Sequence, residues 1–465
     1  MPIEGLVGQA GALAAGEVTS RALLEAHLAR IAELDPALGS FRVVCVDAAR
    51  DEADAADARL GEGERRPLLG VPVAIKDDLD LAGETTAFGC DGELDPATAD
   101  APLVERLRGA GAVIAGKTTA SELGQWPFTE GPGFGATRNP YDLTRTPGGS
   151  SGGSGAAVAA GLVPAAVGSD GAGSVRIPAA WCGLVGIKPS RGVVPAPTVF
   201  NFHGLSTYGP LARTVADAAT LLDVLADSGT SHADAAKRGA GQEPLRIGVS
   251  FRTPWFVPGR VDPQVRAAVR HTADALRGLG HNVFEAEPGH EAAGALFLPR
   301  GANGVRRALA AIGPKARVER RTREHAVLGA VLGGPVLAAV KALEPRLASR
   351  MARVYERVDV LLVPTTAKPA LRIGQYDGRS WGPTGIGIEA ACPFAFPWNV
   401  VGWPGVNVPA GTDERGVPLG AQLLGRAGDD ERLVTLAAQL EAVERWDERR
   451  PPLASGAPTK QAADV

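Results

Sequence analysis

The sequence predicts an α/β fold in which a central β-sheet is covered by α-helices. From residue 68 onward, short apolar runs broken by glycine and proline alternate with stretches of helical periodicity, as expected of strands joined by crossover helices. Beyond residue 244 the same alternation returns, with the strand-like runs LRIGVS, HNVFEAEP and VDVLLVPTT. Both halves of the 465-residue chain therefore contribute strands to the predicted sheet.

The helices are predicted from apolar residues at helical spacing and from the residues that begin and end helices. A Thr-Ser start precedes the helix predicted over residues 19–34, which should end at Asp35-Pro36 because proline has no N–H to continue the hydrogen-bond ladder. Further helices are predicted over residues 46–60, 102–108, 156–160, 263–279 and 345–358.

Two segments are predicted to lie outside the regular structure. Residues 228–244 are polar and poor in large apolar side chains, which predicts a surface linker. The last residues, 451–465, are predicted to be a flexible tail. The motifs with chemical meaning lie in residues 68–220, and residues 245–450 form the C-terminal half.

The composition argues against several classes of partner. A net charge of −4 and a pI near 6.1 provide no basic surface for nucleic acid. No stretch reaches the roughly 20 apolar residues that span a bilayer, so no membrane partner is expected. The cysteines lack any CxxC pair, which favours reduced thiols in a cytoplasmic protein and predicts no metal site; they are Cys45, Cys90, Cys182 and Cys392.

Ser150 and Ser174 stand 24 residues apart in the glycine-rich turns GGSSGG and DGAGSVRIP. A serine hydroxyl becomes a nucleophile when a base takes its proton, and glycine neighbours let backbone N–H groups approach a substrate carbonyl. This combination indicates acyl transfer. Each serine taken alone is more often a plain turn residue, so the prediction depends on a base.

Lys76, at the end of the apolar run LLGVPVAIK, is the candidate base. Only 8 of the 48 basic residues are lysine, and a lysine among apolar side chains can lose its proton, whereas an arginine cannot. The alternative is a strand-end lysine that reaches for water. In a strand, Asp77 should point away from Lys76, whereas Asp78 could share its face and favour the charged amine.

Together these motifs resemble the amidase signature family. The resemblance extends through AGAVIAGKTTASELG, NPYD, GLVGIKPSRG, GPLARTVADAA and FPWNVVGWPGVNVPAG, and so covers nearly the whole chain. It implies a single compact domain over residues 1–450 with a mixed central sheet. It also implies a stand-alone hydrolase of carbon–nitrogen bonds in small amides that uses no cofactor. The oligomeric state stays open between a monomer and a homodimer.

The resemblance further implies a role for each site residue. Ser174 would be the nucleophile, Lys76 the base, and Ser150, after a cis peptide bond, the proton relay between them. The oxyanion hole would be formed by the backbone N–H groups of Gly171, Ala172 and Gly173. The residues that would support this turn are Ser151, Asp170 and Arg176. In the family a larger residue and then two glycines usually precede the nucleophile, so the alanine here raises a question of substrate fit.

Two other motif matches are set aside. Residues 111–118, GAVIAGKT, fit the P-loop pattern, but a helical stretch precedes them and their interior reads as a strand. Residues 148–152, GGSSG, fit the nucleophile elbow of α/β-hydrolases, but turns precede them and the nearest histidine, His203, lies in no recognisable setting.

The substrate side is less defined by the sequence. The loop over residues 124–135, GQWPFTEGPGFG, offers the substrate-binding candidates Gly124, Gln125, Trp126 and Phe134. Apolar walls could be added by Phe128, Phe200, Phe202 and Trp398, although bulky aromatic side chains are more often core. Aliphatic amides, aryl amides, carbamates and esters all fit the same reacting groups.

One alternative function shares this core, the glutaminase subunit of a tRNA-dependent amidotransferase. The resemblance to those subunits would require a Tyr-Gly turn and a stretch ending SSLDQ before a Gly-Pro pair. This chain has SRGVVPAPTVFNFHGLSTYGP at that place, which favours the stand-alone hydrolase.

Overall fold

The computed structural model describes residues 5–195, 200–226, 231–241, 243–254 and 260–455. The strands in these ranges are β1 Phe41–Val44, β2 Pro72–Lys76, β3 Asp91–Gly92, β4 Val113–Thr118, β5 Glu130–Gly131, β6 Gly135–Ala136, β7 Ala165–Asp170, β8 Val185–Lys188, β9 Thr207–Ala212, β10 Arg246–Val249, β11 Asn282–Glu285, β12 Ala316–Arg317, β13 Val360–Pro364, β14 Gly405–Thr412 and β15 Pro418–Leu424.

The helices cover much of the remaining described chain. They are α1 Leu6–Ala15, α2 Ser20–Leu38, α3 Val46–Gly61, α4 Pro102–Gly109, α5 Gly152–Ala159, α6 Arg176–Cys182, α7 Val215–Leu225, α8 His232–Lys237, α9 Pro263–Gly278, α10 Ala293–Ile312, α11 Arg320–Val331, α12 Gly334–Ala352, α13 Trp381–Ala391, α14 Phe396–Val401, α15 Asp430–Glu444 and α16 Pro452–Ser455.

Within the described ranges, eleven strands form one sheet in the order β1-β4-β2-β7-β9-β8-β14-β15-β13-β10-β11. The pairs β2–β4, β2–β7, β10–β13 and β10–β11 are parallel and the others are antiparallel, so the sheet is mixed. Strands from before and after the polar segment at 228–244 share this sheet. The predicted α/β fold with a mixed central sheet is therefore confirmed.

Apolar strands occupy the middle of the sheet because helices cover both of its faces. Every residue of β2, β4, β9 and β15 is buried, as the continuous apolar runs in the sequence predict. The four cysteines are free and buried.

Two helix boundaries predicted from proline are wrong. The helix predicted over residues 19–34 is α2, which continues through Pro36 to Leu38 and is capped by Gly39, whose backbone is left-handed with a φ of 61°. A proline in the last turn removes only one hydrogen bond, so it does not stop the helix there. Similarly, Pro345 lies inside α12, which begins at Gly334.

The polar segment at 228–244 differs from an irregular linker in its described part. Ser231 caps α8, and Ala235 of this helix is buried, with its carbonyl accepting a hydrogen bond from Thr435 of α15 (3.0 Å). Of the tail predicted at 451–465, residues 456–465 lie outside the described residues. Among the described helices, none alone has the length and apolar character needed to cross a bilayer; α11 together with the chain from Gly334 to Glu356 does, but with an 81° bend between them.

Candidate active site

Lys76 is the last residue of β2, and its side chain is fully buried. Its Nζ lies 2.7 Å from the Oγ of Ser150, 2.7 Å from the Oγ of Ser169 and 3.2 Å from an Oδ of Asp78. The lysine therefore does not reach for water. It is held at the centre of a polar cluster formed by the end of β2, the turn before α5 and the end of β7.

The two aspartates that follow Lys76 lie on opposite sides of the strand, as the alternation of side chains predicts. Asp78 shares the lysine's face and accepts a hydrogen bond of 2.5 Å from the hydroxyl of Ser169. Asp77 is buried on the other side, where it pairs with Lys117 (2.9 Å) and Arg42 (3.3 Å). Only one of the two carboxylates therefore contacts the candidate base.

Burial lowers the pKa of Lys76 below its ordinary value, because the charged amine loses its hydration. The negative charge of Asp78 and, more weakly, that of Asp170 act in the opposite direction. The net direction is downward, which brings the amine toward the neutral form that a base needs.

Ser150 and Ser151 connect the lysine to the second serine turn. The peptide bond between Gly149 and Ser150 is cis, as the resemblance implies. The backbone N–H of Ser151 donates to the carbonyl of Ser174 (3.2 Å), and its hydroxyl donates to the carbonyl of Ser169 (3.2 Å). Ser151 thus fixes the turn before α5 against both β7 and the turn that carries Ser174.

The turn of Ser174 is held by a buried ion pair. Asp170 accepts hydrogen bonds from the guanidinium of Arg176 at 3.0 Å on both oxygens, and both side chains are completely buried. The same guanidinium donates to the side-chain oxygens of Gln422 (2.9 Å) and Asn399 (2.7 Å). Burial alone would raise the pKa of Asp170. The positive charge and the hydrogen bonds of Arg176 outweigh burial and hold the pKa far below its ordinary value.

The amide of Gly173 differs from its predicted role. Its N–H donates to Asp170 Oδ1 (2.7 Å), so it is already occupied. Among the described residues, no protein acceptor is bound to the backbone N–H groups of Gly171, Ala172 or Ser174. These three amides are therefore the ones available to a substrate oxygen.

Gly173 is required by the shape of this turn. Its φ is +112°, which side chains other than glycine rarely allow, and a Cβ at this position would lie 2.5 Å from the Cβ of Ala395. The turn therefore has no room for a larger residue immediately before Ser174.

A small cavity of about 20 Å³ adjoins these groups and is lined by Lys76, Ser150, Ser169 and Gly171. Gly124 also lines it, as do the aromatic side chains of Phe200 and Phe202. Gly124 lies so close that a Cβ there would come 3.6 Å from the hydroxyl of Ser150. Of the substrate-binding candidates, Gly124 is thus the one nearest the reacting groups.

The remaining candidates do not line this cavity; they are Gln125, Trp126, Phe128, Phe134 and Trp398. The amide of Gln125 bonds Thr322 (2.6 Å) and His325 (2.8 Å). Trp126 is 2% exposed and packs in an apolar cluster with Phe128. Phe134 is half-buried in the connection between β5 and β6, and Trp398 is a core residue whose indole donates to Gly425 (3.0 Å).

Sequence reasoning missed Ser169 and the side chains that anchor Arg176. Ser169 lies on β7, and its two contacts with Lys76 and Asp78 could have been sought in the pattern GSDGAGS, where a second serine precedes the nucleophile turn. Asn399 and Gln422 lie more than 200 positions further along the chain, and no local signal marks them.

The P-loop match is not a phosphate site. Residues Val113–Thr118 form the buried strand β4, and Lys117 forms an ion pair with Asp77. In the described part of the chain, no three His, Cys, Asp or Glu side chains are grouped so that they could hold a metal ion.

Comparison with known proteins identifies the class. Residues 22–434 match the family model described as Amidase. The amidase homologue AmiB2 of Mycobacterium tuberculosis (strain ATCC 25618 / H37Rv) is 46% identical over 455 residues, which cover 97% of this chain and 98% of the relative. One subunit of the glutamyl-tRNA(Gln) amidotransferase of Roseiflexus sp. (strain RS-1) is 38% identical over 480 residues, covering 95% of this chain and 96% of the relative.

Solved structures of amide hydrolases have the same fold as this chain. A 6-aminohexanoate cyclic dimer hydrolase superposes with a TM-score of 0.86 at 33% identity, covering 97% of this chain and 99% of that chain. A bacterial aryl acylamidase of the amidase signature family superposes with a TM-score of 0.87 at 25% identity, covering 98% and 100%. The chain therefore belongs to the amidase signature family and is an enzyme that hydrolyses carbon–nitrogen bonds of amides.

Proposed function

We propose that the protein is a stand-alone serine amidase that forms an acyl-enzyme on Ser174. Neutral Lys76 takes the proton of Ser150, which takes the proton of Ser174 as that oxygen attacks the substrate carbonyl. The proton returns along the same path to the leaving nitrogen, and the amine departs. Water then attacks the acyl ester and gives a proton to Lys76 through Ser150. That proton returns to the oxygen of Ser174 as the carboxylic acid leaves.

The observation that carries the proposal is the position of the amine of Lys76. It is buried and lies 2.7 Å from the hydroxyl of Ser150, and burial lowers its pKa. A buried amine that contacts a serine hydroxyl is chemically suited to remove a proton, whereas a hydrated surface lysine stays charged near neutral pH.

The oxyanion that forms on the carbonyl needs hydrogen-bond donors. We assign this role to the backbone N–H groups of Gly171 and Ala172 together with that of Ser174, because the amide of Gly173 donates to Asp170. Alkyl and aryl amides are the expected substrates; carbamates and esters present the same carbonyl to the same groups.

Burst kinetics and intact mass test this proposal. The enzyme mixed with an acyl 4-nitroanilide should release one equivalent of nitroaniline rapidly and gain the mass of the acyl group. Ser174→Ala should remain folded and show neither signal. Ser231→Ala, which changes a serine at the cap of α8, is the matched control and should behave as the wild type. A covalent adduct that persists in Ser174→Ala would refute the assignment.

The alternative is the glutaminase subunit of a tRNA-dependent amidotransferase, supported by the 38% identity to an amidotransferase subunit. The identity to AmiB2 is higher, at 46%, and favours the stand-alone enzyme. If the purified chain were inert on simple amides and released ammonia from glutamine only with added partner subunits, the alternative would replace the proposal.

A further inference from the structure

A larger cavity of about 680 Å³ adjoins the small one at the catalytic groups. The two cavities share Asp78, Phe88 and Phe200 in their walls. A substrate whose amide lies against Ser150 could therefore extend one arm into the larger space. The charge and polarity of the residues that line the larger cavity then decide which substrate arm the enzyme binds.

Four carboxylates line this cavity, and two of them are paired with cations. Asp95 binds the amine of Lys315 through both oxygens (2.8 and 2.9 Å). Asp100 pairs with Arg108, and Asp78 contacts Lys76 (3.2 Å). The charges of Asp95 and Asp100 are thereby compensated, whereas Lys76 is neutral in the proposed mechanism and offers Asp78 a contact without a counter-charge.

Asp80 is the fourth carboxylate, and it is not compensated. Its side chain is exposed and makes no ion pair or hydrogen bond with any of the described residues. Since Lys315 is bound by Asp95, no cation of the cavity wall is left to neutralise Asp80. The charge of the cavity is therefore negative where a ligand would meet it.

Tyr208 provides an independent second observation. It lies on β9, is 2% exposed, and lines the same cavity, yet its hydroxyl has no hydrogen-bond partner among the described residues. The oxygen is not fully enclosed by the protein, so a ligand or a water molecule in the cavity can bond to it. The pKa of Tyr208 is raised well above its ordinary value, first by burial and then by the charges of Asp78 and Asp80, both of which line the same cavity.

The remaining walls are apolar and suit a hydrocarbon chain. They include Leu79, Phe88, Leu103, Phe200 and Ile312. An arm of methylene groups or an aromatic ring would lose water against these side chains, and a positive charge at its end would meet Asp80 and the oxygen of Tyr208.

We propose that this cavity selects amides that carry an ammonium group at the end of an apolar arm, with Asp80 and Tyr208 as the specificity-determining residues. The inference rests on the proposed function, because it assigns the arm of the substrate that the amidase hydrolyses. It names a chemical class, a cationic amide, in place of the open range of alkyl and aryl amides.

Three matched sets of 4-nitroanilides test the proposal, in which acyl chains of increasing length end in an ammonium, a methyl or a carboxylate group. Their dissociation constants for the Ser174→Ala protein are measured by calorimetry, and kcat/KM is measured with the active enzyme. In at least one chain length, the ammonium compound should bind about tenfold more tightly than its methyl analogue, about 1.4 kcal/mol, and the carboxylate compound should bind most weakly.

The variants identify the residues that recognise the positive charge of the ammonium group. Asp80→Asn should remove most of the preference for ammonium, and Tyr208→Phe should reduce it roughly threefold. Asp51→Asn removes an exposed carboxylate on α3 and is the matched control, with the preference unchanged. Equal binding of ammonium and methyl compounds at every length, or a preference that survives Asp80→Asn, would overturn the inference.

The two proposals fail in different ways. If the wild-type enzyme hydrolyses none of the anilides, the proposed function is refuted for this substrate class, while binding to Ser174→Ala still reports the charge preference of the cavity. If hydrolysis proceeds at similar rates for ammonium and methyl compounds with equal affinities, the amidase proposal stands and the cationic specificity is wrong.

Discussion

The buried pair of Asp170 and Arg176 offers the sharpest test of how the nucleophile turn is built. Replacing Asp170 with Asn keeps the shape of the side chain but leaves the guanidinium of Arg176 buried without a counter-charge. The two remaining partners of Arg176, Gln422 and Asn399, are neutral amides that accept hydrogen bonds but carry no charge.

The size of the effect follows from these contacts. Asparagine has one side-chain oxygen where aspartate has two, so one of the two hydrogen bonds of 3.0 Å is lost and the other keeps only a neutral acceptor. Leaving the buried guanidinium without its counter-charge costs about 3–5 kcal/mol. A folded protein is typically stable by about 5–15 kcal/mol, so Asp170→Asn should lose a large share of the free energy of unfolding. Since the same carboxylate binds the N–H of Gly173, activity should fall as well.

A double-mutant cycle measures this change in the free energy of unfolding by urea denaturation. Its four proteins are the wild type, Asp170→Asn, Arg176→Met and the double variant. The double variant should be more stable than Asp170→Asn alone, because no charge is left unpaired. Asp234→Asn breaks the exposed pair of α8 with Lys237 and should leave stability unchanged. A loss below about 1 kcal/mol for Asp170→Asn would refute the reasoning.

Three further predictions concern the base, the turn and the response to acid. Asp78→Asn removes the carboxylate that favours charged Lys76, so the acid limb of the kcat/KM profile should move to lower pH; a limb that stays in place would refute this. Gly173→Ala should lower kcat and the melting temperature together, because the new Cβ collides with Ala395; wild-type values of both would contradict it. Burial lowers the pKa of His27 from 6.5 to about 4, so the unfolded chain binds the extra proton and this residue's contribution to stability falls as the pH drops from 6.5 to 4. His27→Gln should remove that part of the pH dependence in urea titrations, and an unchanged slope would contradict it.

Local patterns were sufficient to predict the α/β class, because alternation and helical spacing are properties of neighbouring residues. They were also sufficient to place Lys76 at a strand end and Asp77 on the opposite face, since side chains alternate along a strand. The direction of Asp78 was left open by the sequence, because this residue follows the end of β2. The predicted helix end at Pro36 and the predicted helix start at Pro345 were both wrong, because a helix can continue through a proline at the loss of one hydrogen bond.

The parts of the site that sequence could not supply depend on distant segments. Asn399 and Gln422 reach Arg176 only because β14 and β15 join the sheet beside β8 and α14 packs over the turn. Asp80, from the chain after β2, and Tyr208, from β9, line one cavity, and no sequence pattern assigned either of them a role. The order of the strands in the sheet decides which distant residues come into contact, and the spacing of apolar residues along the sequence does not predict that order.

In the proposed mechanism Ser150 is the group that loses its proton to Lys76, and the hydrogen bonds of the cluster are consistent with that choice. Ser169 gives its only hydrogen to Asp78, so its oxygen must accept from the lysine, and Asp78 itself can only accept. A neutral amine has two hydrogens and one lone pair. With both hydrogens directed to Ser169 and Asp78, the lone pair is left facing the hydroxyl of Ser150, 2.7 Å away. The carboxylate that opposes deprotonation of Lys76 by its charge therefore also orients the neutral amine toward the proton that it has to remove.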